Sequence, residues 1–424
     1  MKKALPMILA VIVVAACSRE RTTVKTNNPI EKVKDKNTVD DVTTPWGGKP
    51  DQNAAQSRAQ QDADVRWRRL QSFGVKQQQP AQTATTETAP PPDNFKFVTG
   101  QKESFKGVDA QGINAAAVNV PISGEQRGPS VLRAQVYLDR IHFAVGSIDG
   151  RWGRNSGITA WWYQRARGLE PTGDMDEQTF RRLAAEAQYA PVVKTFTLTA
   201  DDVKGPFRHI PDDVYEKAKL PHLGYESLKE ELSEKFHCTE DFLDVLNPDV
   251  KFGDLAAGAK IVVPNVREPM TADQPDIARI IISIAGNSLN GFGANGNIIF
   301  HAPSTLGSGY DPSPTETLHI VKIVQAPSFH YDPTLYHEVP DSEPDAQLPS
   351  GPNTPVGVVW MALSKPHYGI HGNPEPDSIG YNSSHGCVRL TNWDAEEVSH
   401  RATQGTQVSF VDTREKGMPE VAKK

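Results

Sequence analysis

Apolar residues recur along this chain with several different rhythms. Ala4 to Ala16 is an unbroken apolar run of thirteen residues behind the basic start Met1-Lys2-Lys3. Residues 17–125 show no sustained rhythm. Gln77-Gln78-Gln79-Pro80, the Thr-rich stretch Ala81 to Glu87 and Ala89-Pro90-Pro91-Pro92 dominate them, with one short helix expected at Val65 to Leu70. From 126 to 190 the spacing turns helical. Val131, Leu132, Val136 and Leu138 mark one helix, Ile158 to Gln164 a second that ends at Gly168, and Thr179, Phe180 and Leu183 a third. Residues 220–267 give a short strand, helices at Tyr225 to Phe236 and Asp241 to Leu246, an Asn247-Pro248 turn and a strand at Ile261 to Pro264. From 275 to 412 the period shortens to that of strands: Ile280 to Ile284, Ile298 to Phe300, Leu318 to Val324, Val358 to Leu363 and Gln407 to Val411. One helix interrupts them, opened by Thr391 with Asp394 three residues on and running to Arg401. The pattern predicts a multidomain α+β protein: a small three-helix domain, a βααβ unit and a mainly-β C-terminal domain.

Composition adjusts this picture at the N-terminus. A polar, proline-rich segment cannot bury enough apolar surface to offset chain entropy, so residues 17–125 are expected to form a disordered tether. A flexible chain of ~110 residues has a reach of about 60 Å. The run Ala4 to Ala16 is shorter than the roughly 20 residues that span a bilayer as a helix and suits an export signal, residues 1–16. Val14-Ala15-Ala16-Cys17 resembles the lipobox of bacterial lipoproteins, which implies a lipid anchor on Cys17. Ser18 is not the aspartate that marks inner-membrane retention, so the resemblance implies the periplasmic face of an outer membrane. The alternative is an ordinary secretory signal that happens to contain a cysteine. The formal charge is −7, with no long basic run beyond the start; nucleic acid is excluded as a partner. Three cysteines in 424 residues do not make a disulfide framework. Cys238, between the two helices of the βααβ unit, is expected to be a buried, inert thiol.

Chemistry concentrates between His371 and Asp394. Cys387 follows Gly386 and precedes the strand-like Val388-Arg389-Leu390; His385 lies two residues before it. His371 lies sixteen residues upstream at the end of Tyr368-Gly369-Ile370, across a loop broken by Pro374, Pro376 and Gly380. A free thiol with a pKa of ~8.5 is only slightly ionised near neutrality, and an imidazole within reach supplies the base that nucleophilic attack needs. Gly386 and Gly372 are small enough to admit a substrate carbonyl and are expected to leave backbone N–H groups for an oxyanion. With no carboxylate at an obvious third position, the expected acceptor behind His371 is a backbone carbonyl. Two other readings use the same residues. His371, His385 and Cys387 are zinc ligand types, though a fourth is not evident. A papain-like hydrolase places its cysteine before its histidine, the reverse of the order here. No cofactor and no metal is expected.

The segment resembles the L,D-transpeptidase catalytic domain. Its signature is an HG dipeptide, a loop, then S-[HK]-G-C-x-R; His371-Gly372 and Ser384-His385-Gly386-Cys387-Val388-Arg389 match position by position. Leu348 to Gly357 resembles the Pro/Gly turn of the same domain. The resemblance implies that Cys387 attacks the bond after the diaminopimelate of a peptidoglycan tetrapeptide stem and expels D-alanine. His371 is then the base, with the Gly372 carbonyl as its orienter, and His385 and Arg389 line the site; Ser384 and Gly386 complete the substrate-binding set. Ser384 also suits a turn or cap, and Arg389 a buried structural ion pair. The resemblance further implies acylation of Cys387 by carbapenems. Residues 126–190 resemble a three-helix peptidoglycan-binding domain through Asp149, Gly150, Gly153, Ala160, Gln164, Gly168, Leu169, Thr172, Gly173, Asp176, Thr179 and Leu183. Most of these also suit a purely structural module. Residues 220–267 resemble a LysM domain, which binds N-acetylglucosamine-containing glycans. The expected partners are peptidoglycan stem peptides and glycan, the membrane through Cys17, and possible acceptors that include an envelope lipoprotein. Two alternatives stay open: a hydrolase (L,D-carboxypeptidase) using the same site, and a non-catalytic lipoprotein tethering membrane to wall.

Overall fold

The structure, a computed structural model, describes Pro92, residues 95–336 and 338–412, Arg414, Met418 and Pro419; all lie in one unit spanning Asp64–Lys424. The signal, the Cys17 lipobox and the short helix expected at Val65 to Leu70 fall outside the described residues. None of the described helices is long and apolar enough to cross a membrane.

Ordered chain begins well before residue 126, which corrects the expectation of a tether running to 125. β1 (Phe97–Val98) pairs in parallel with β2 (Val118–Asn119), and α1 (Ala110–Ala115) lies between them, capped by the Asp109 carboxylate on the Gly112 N–H. Ile113, Val118, Val120 and Ile122 are buried in the main core, and Phe95, Phe97 and Phe105 pack against it. Scattered singly among polar residues, these side chains make no periodic signal. Each fully buried one is worth about 1.5–3 kcal/mol, enough together to order the segment.

The three expected helices are present: α2 (Pro129–Arg140), α3 (Arg154–Ala166) and α4 (Glu177–Glu186). Asp176 caps α4 by accepting from the Thr179 N–H. Gln164 fixes the turn before it, accepting from the N–H groups of Thr172 and Gly173 and donating to the Asp174 carbonyl. The next unit has the order βααβ, but its first strand is β3 (Val193–Thr197), upstream of the expected start at 220. After it comes an excursion, residues 198–227, that carries α5 (Val214–Lys217). Then follow α6 (Leu228–Lys235), α7 (Glu240–Leu246) and β4 (Lys260–Pro264), which pairs antiparallel with β3. Cys238 is buried, free and pushed well above the usual thiol range by that burial.

The C-terminal domain is an eight-stranded sheet. In chain order its strands are β5 (Arg279–Ser283), β6 (Ser288–Phe292), β7 (Ile298–Pro303) and β8 (Thr317–Gln325), then, after the separate hairpin β9 (Phe329–Tyr331) and β10 (Ala346–Leu348), β11 (Val359–Leu363), β12 (Gly369–His371), β13 (Val388–Arg389) and β14 (Gln407–Val411). Their spatial order is β13-β12-β11-β8-β14-β5-β6-β7. The pairs β12–β13 and β14–β5 are parallel, the others antiparallel. α8 (Asn392–Arg401) packs on β11 and β12, with Thr391 accepting from the Asp394 N–H as its cap.

The units do not hang as separate beads. One continuous hydrophobic core takes in residues 95–122, the three helices, the βααβ unit and Ile281, Phe292 and Ile298 of the sheet. Residues 142–144 close the β7 edge: the Ala144 N–H donates to His301 O (2.8 Å) and the His301 N–H to His142 O (2.9 Å). At the junction, buried Arg267 pairs with Asp139 of α2 and, at 2.5 Å each, with Asp394 and Glu397 of α8. His237 bonds Asp139 at 2.9 Å while its ring stacks on Trp393. Against a burial penalty, Arg267 holds Asp139 and Glu397 below the usual carboxylate range.

Candidate active site

β12 and β13 set the geometry of the site. Their parallel register is Ile370↔Val388 and His371↔Arg389. Side chains alternate across a sheet, so Ile370 and Val388 turn to the core, where both are fully buried. Gly369, His371, Cys387 and Arg389 then share the other face. The loop brings His371 and Cys387 together by placing them on neighbouring strands, and Gly369 leaves no side chain between them; a Cβ there would come 2.6 Å from the Trp360 ring.

That face opens into a cavity of about 470 Å³. His371, His385, Cys387 and Arg389 all line it, as do Trp360, His367, Tyr368, Phe329 and Tyr336. Trp360 sits opposite His371 on β11 and stacks on its ring, centroids 5.3 Å apart. The imidazole Nδ1 is 2.7 Å from Gly372 O. A carbonyl only accepts, so Nδ1 carries the proton and Nε2 keeps its lone pair. Burial, with Arg389 nearby, pushes His371 down to about 3, the Gly372 bond opposing; the ring is neutral at working pH.

Cys387 stands at the mouth of β13. Its thiol donates to His367 O at 3.4 Å. Burial raises it above the ordinary thiol range, while a Gly369 backbone bond and Arg389 pull it back. Both members of the pair therefore rest neutral. The turn that delivers Cys387 needs glycine at 386: φ is +103°, and a Cβ would come 2.8 Å from the Tyr368 ring. Ser313 Oγ donates to the Gly386 carbonyl at 3.1 Å.

The remaining expected residues divide. The Ser384 hydroxyl is used inside the turn, donating to Cys387 O at 2.6 Å and accepting from the Gly386 N–H at 3.2 Å, and it does not line the cavity. The Gly372 N–H donates to Val359 O. The amides of Gly386 and Gly372 are thus engaged, which corrects the expectation that they stay free for an oxyanion; the Cys387 N–H has no partner among the described residues. His385 meets Glu338 Oε1 at 2.9 Å and the edge of the Tyr336 ring. Arg389 makes no ion pair among the described residues, and its Nε is buried without a partner. Among the described residues no three His, Cys, Asp or Glu side chains converge as metal ligands.

Sequence reasoning missed the wall. Phe329, Leu335 and Tyr336 come from the β9–β10 hairpin and its long loop. Their only signal was aromatic residues between Pro327 and Pro340, too irregular for either period. The hairpin is braced from behind by a separate apolar cluster: Ile210, Val214, Tyr215 and Leu223 of the excursion against Phe329, Tyr331, Ala346 and Leu348.

Comparison with known proteins finds relatives of two parts of the chain. Residues 277–409 match the family described as L,D-transpeptidase catalytic domain, and residues 127–183 the family described as putative peptidoglycan binding domain. A Bacillus licheniformis protein named putative L,D-transpeptidase YkuD is 29% identical over 181 residues, 43% of this chain and 92% of its own length. The Escherichia coli protein named probable L,D-transpeptidase YbiS is 39% identical over 67 residues, 16% of this chain and 22% of its own. Among solved structures, L,D-transpeptidase 3 from Mycobacterium tuberculosis aligns over 38% of this chain and 77% of its own, at 15% identity and a TM-score of 0.27. The chain carries an L,D-transpeptidase catalytic domain behind a peptidoglycan-binding domain.

Proposed function

We propose that the protein is a peptidoglycan L,D-transpeptidase in which Cys387 is the nucleophile and His371 its base. The observation that carries this is the shared face of β12 and β13, which sets a neutral imidazole with a free Nε2 beside a neutral thiol at the mouth of one cavity. The thiol proton passes to His371 Nε2 as sulfur bonds the diaminopimelate carbonyl carbon. The C–N bond to D-alanine then breaks, and the proton leaves with that amine. An acceptor amine attacks the thioester, forms the new amide and returns the proton to sulfur. The Cys387 N–H serves the oxyanion. Arg389, with no carboxylate partner of its own among the described residues, binds the stem's carboxylate; His385, held by Glu338, is an accessory donor.

The βααβ order with paired outer strands supports reading residues 192–266 as a LysM-like glycan binder. The Val14-Ala15-Ala16-Cys17 motif supports a lipid anchor that holds the protein at the wall. Two wall-binding modules joined to the catalytic domain favour action on assembled polymer.

The test is mass spectrometry of the full-length, reduced protein incubated with disaccharide-tetrapeptide. A dimer that has lost D-alanine, absent with Cys387→Ala and reduced at least 10³-fold in rate, is the expected result. Tripeptide alone would assign the same site to hydrolysis. No Cys387-dependent product would leave the tethering role.

A further inference from the structure

The carbonyl that orients the base belongs to the residue type least able to hold it still. Gly372 O lies 2.7 Å from His371 Nδ1, yet a glycine backbone turns freely. The Gly372 N–H reaches Val359 O only at 3.3 Å. What confines Gly372 comes from farther along the chain. Asn392 Oδ1 lies where a Cβ of Gly372 or of Gly357 would stand, and a Cβ on Gly357 would also come 2.7 Å from the Gly372 carbonyl carbon. Gly357, at φ +60°, belongs to the turn leading into β11, the turn that gives Pro355 and Val356 to the cavity wall.

Asn392 is itself fully committed. Its Oδ1 accepts from the Val358 N–H at 3.2 Å, while Nδ2 donates to Pro352 O at 3.2 Å and to the Glu234 carboxyl, 3.1 and 3.0 Å from its two oxygens. Turning the amide over would set N–H against N–H and oxygen against oxygen, so only this orientation satisfies it. Asn392 and Glu234 are both buried, and an amide proton that lost its acceptor there would not find water in its place. Glu234 comes from α6 of the βααβ unit, outside the matched catalytic stretch 277–409. The Tyr225 hydroxyl donates to it at 3.3 Å. The same unit grips the near end of the turn: the Leu223 N–H donates to Ser350 O at 2.9 Å, the Asn353 N–H to Leu223 O at 3.0 Å, and Asn353 Nδ2 to Glu230 Oε1 at 2.7 Å.

We propose that Glu234 is a positioning residue for the base: through Asn392 it holds Gly372, and with it the His371 ring, in the orientation that serves Cys387. The inference rests on the reading of His371 and Cys387 as base and nucleophile. Glu234 does not line the cavity, so it acts only through Asn392, completing the active site from outside the catalytic domain. Such a contact governs rate more than substrate binding, because a base displaced by about 1 Å can cost about 10²-fold.

The test is steady-state turnover of disaccharide-tetrapeptide by the full-length, reduced protein, beside alkylation of Cys387 by iodoacetamide near neutral pH. Peptide mass spectrometry separates Cys387 from Cys238 in the second assay. Glu234→Leu keeps the volume and removes the acceptor. It is expected to lower kcat about tenfold or more with KM within about twofold, and to slow alkylation towards the rate of His371→Ala. Glu234→Gln keeps an acceptor oxygen and should hold both readouts near the parent. Asn392→Asp should be impaired, and Glu234→Gln added to it should restore part of the loss, because the new amide donates where the carboxyl accepted. That pair decides the question if Glu234→Leu does not fold. Leu232→Ala, fully buried on the same helix, guards against general loosening: the melting temperature should fall while kcat stays. The proposal is overturned if Glu234→Leu keeps parental kcat and alkylation, if Glu234→Gln is equally impaired, or if Leu232→Ala loses as much kcat. A parent that turns nothing over would instead strike the transferase reading, with the alkylation series still deciding the positioning.

Discussion

The catalytic domain meets its two partners across seams that differ in chemistry. Toward the three-helix unit buried charge joins the shared apolar core: Arg267 gathers Asp139, Asp394 and Glu397 under α8, and Arg401 adds a 2.7 Å bond to Glu397. Toward the βααβ unit it is apolar and hydrogen-bonded. The excursion's Leu223, Val214 and Tyr215 pack on the β9–β10 hairpin, Leu223 exchanges backbone bonds with Ser350 and Asn353, and Glu234 receives Asn392 Nδ2 on both oxygens. The charged seam lies behind the sheet and fixes the frame. The other reaches the cavity itself: the hairpin is its wall, and Asn392 Oδ1 accepts from the Val358 N–H and lies against Gly357 and Gly372, the residue that orients His371. The difference teaches that only one of the two seams reaches the cavity: none of Arg267, Asp139, Asp394 and Glu397 lines it.

The largest effect should come from the charged seam. Arg267→Met removes the cation that three buried carboxylates share, leaving Asp394 without one and Glu397 with Arg401 alone, and should cost about 3–5 kcal/mol in denaturant unfolding; a loss under 1 kcal/mol would mean that water reaches the cluster. Next comes Glu234. Burial pushes it up to about 8, with Glu230 adding to the rise and Asn392 opposing it, above the 4.5 of a free glutamate. The unfolded chain therefore gives up the proton first, and stability falls as pH climbs from about 4.5 towards 8, levelling off beyond. Glu234→Gln should remove that fall, gaining about 4 kcal/mol at pH 8 and almost nothing at pH 4.5. Melting curves across that range decide it; parallel curves for both proteins would refute it. The smallest effect is expected at Tyr215, whose hydroxyl donates to Pro344 O at 2.9 Å and lies 3.2 Å from Glu343. Tyr215→Phe should loosen the hairpin, raising KM a few-fold with kcat unchanged. A change in kcat alone would show that the hairpin does more than bound the cavity.

How much of this was legible in the sequence depended on whether the signal was local. The Thr391/Asp394 cap, β5, β7, β8, β11 and β14, and the three helices all follow from short-range spacing, and they were expected within a few residues of where they stand. The His371/Cys387 pair was legible because a motif carries it. β6, Ser-Leu-Asn-Gly-Phe, was not, since one leucine and one phenylalanine make no alternation. Residues 95–125 were hidden by the Gln, Thr and Pro content around them. Nothing local sets Glu234 apart from Glu230 and Glu231 on the same helix; its partner, Asn392, lies far along the chain. Long-range seams of this kind have no counterpart in a periodicity, because each half looks like ordinary surface until the other half covers it.

The shared core has a practical consequence for dissecting the molecule. A cut between Arg267 and Ile277 would not release a self-sufficient C-terminal fragment. Ile281, Phe292 and Ile298 would face water where the helices had been, the β7 edge would lose residues 142–144, and Asp394 and Glu397 would be parted from Arg267. Such a fragment should be sticky and prone to pair through its bared strand, so weak activity from it would report on the amputation and not on the enzyme.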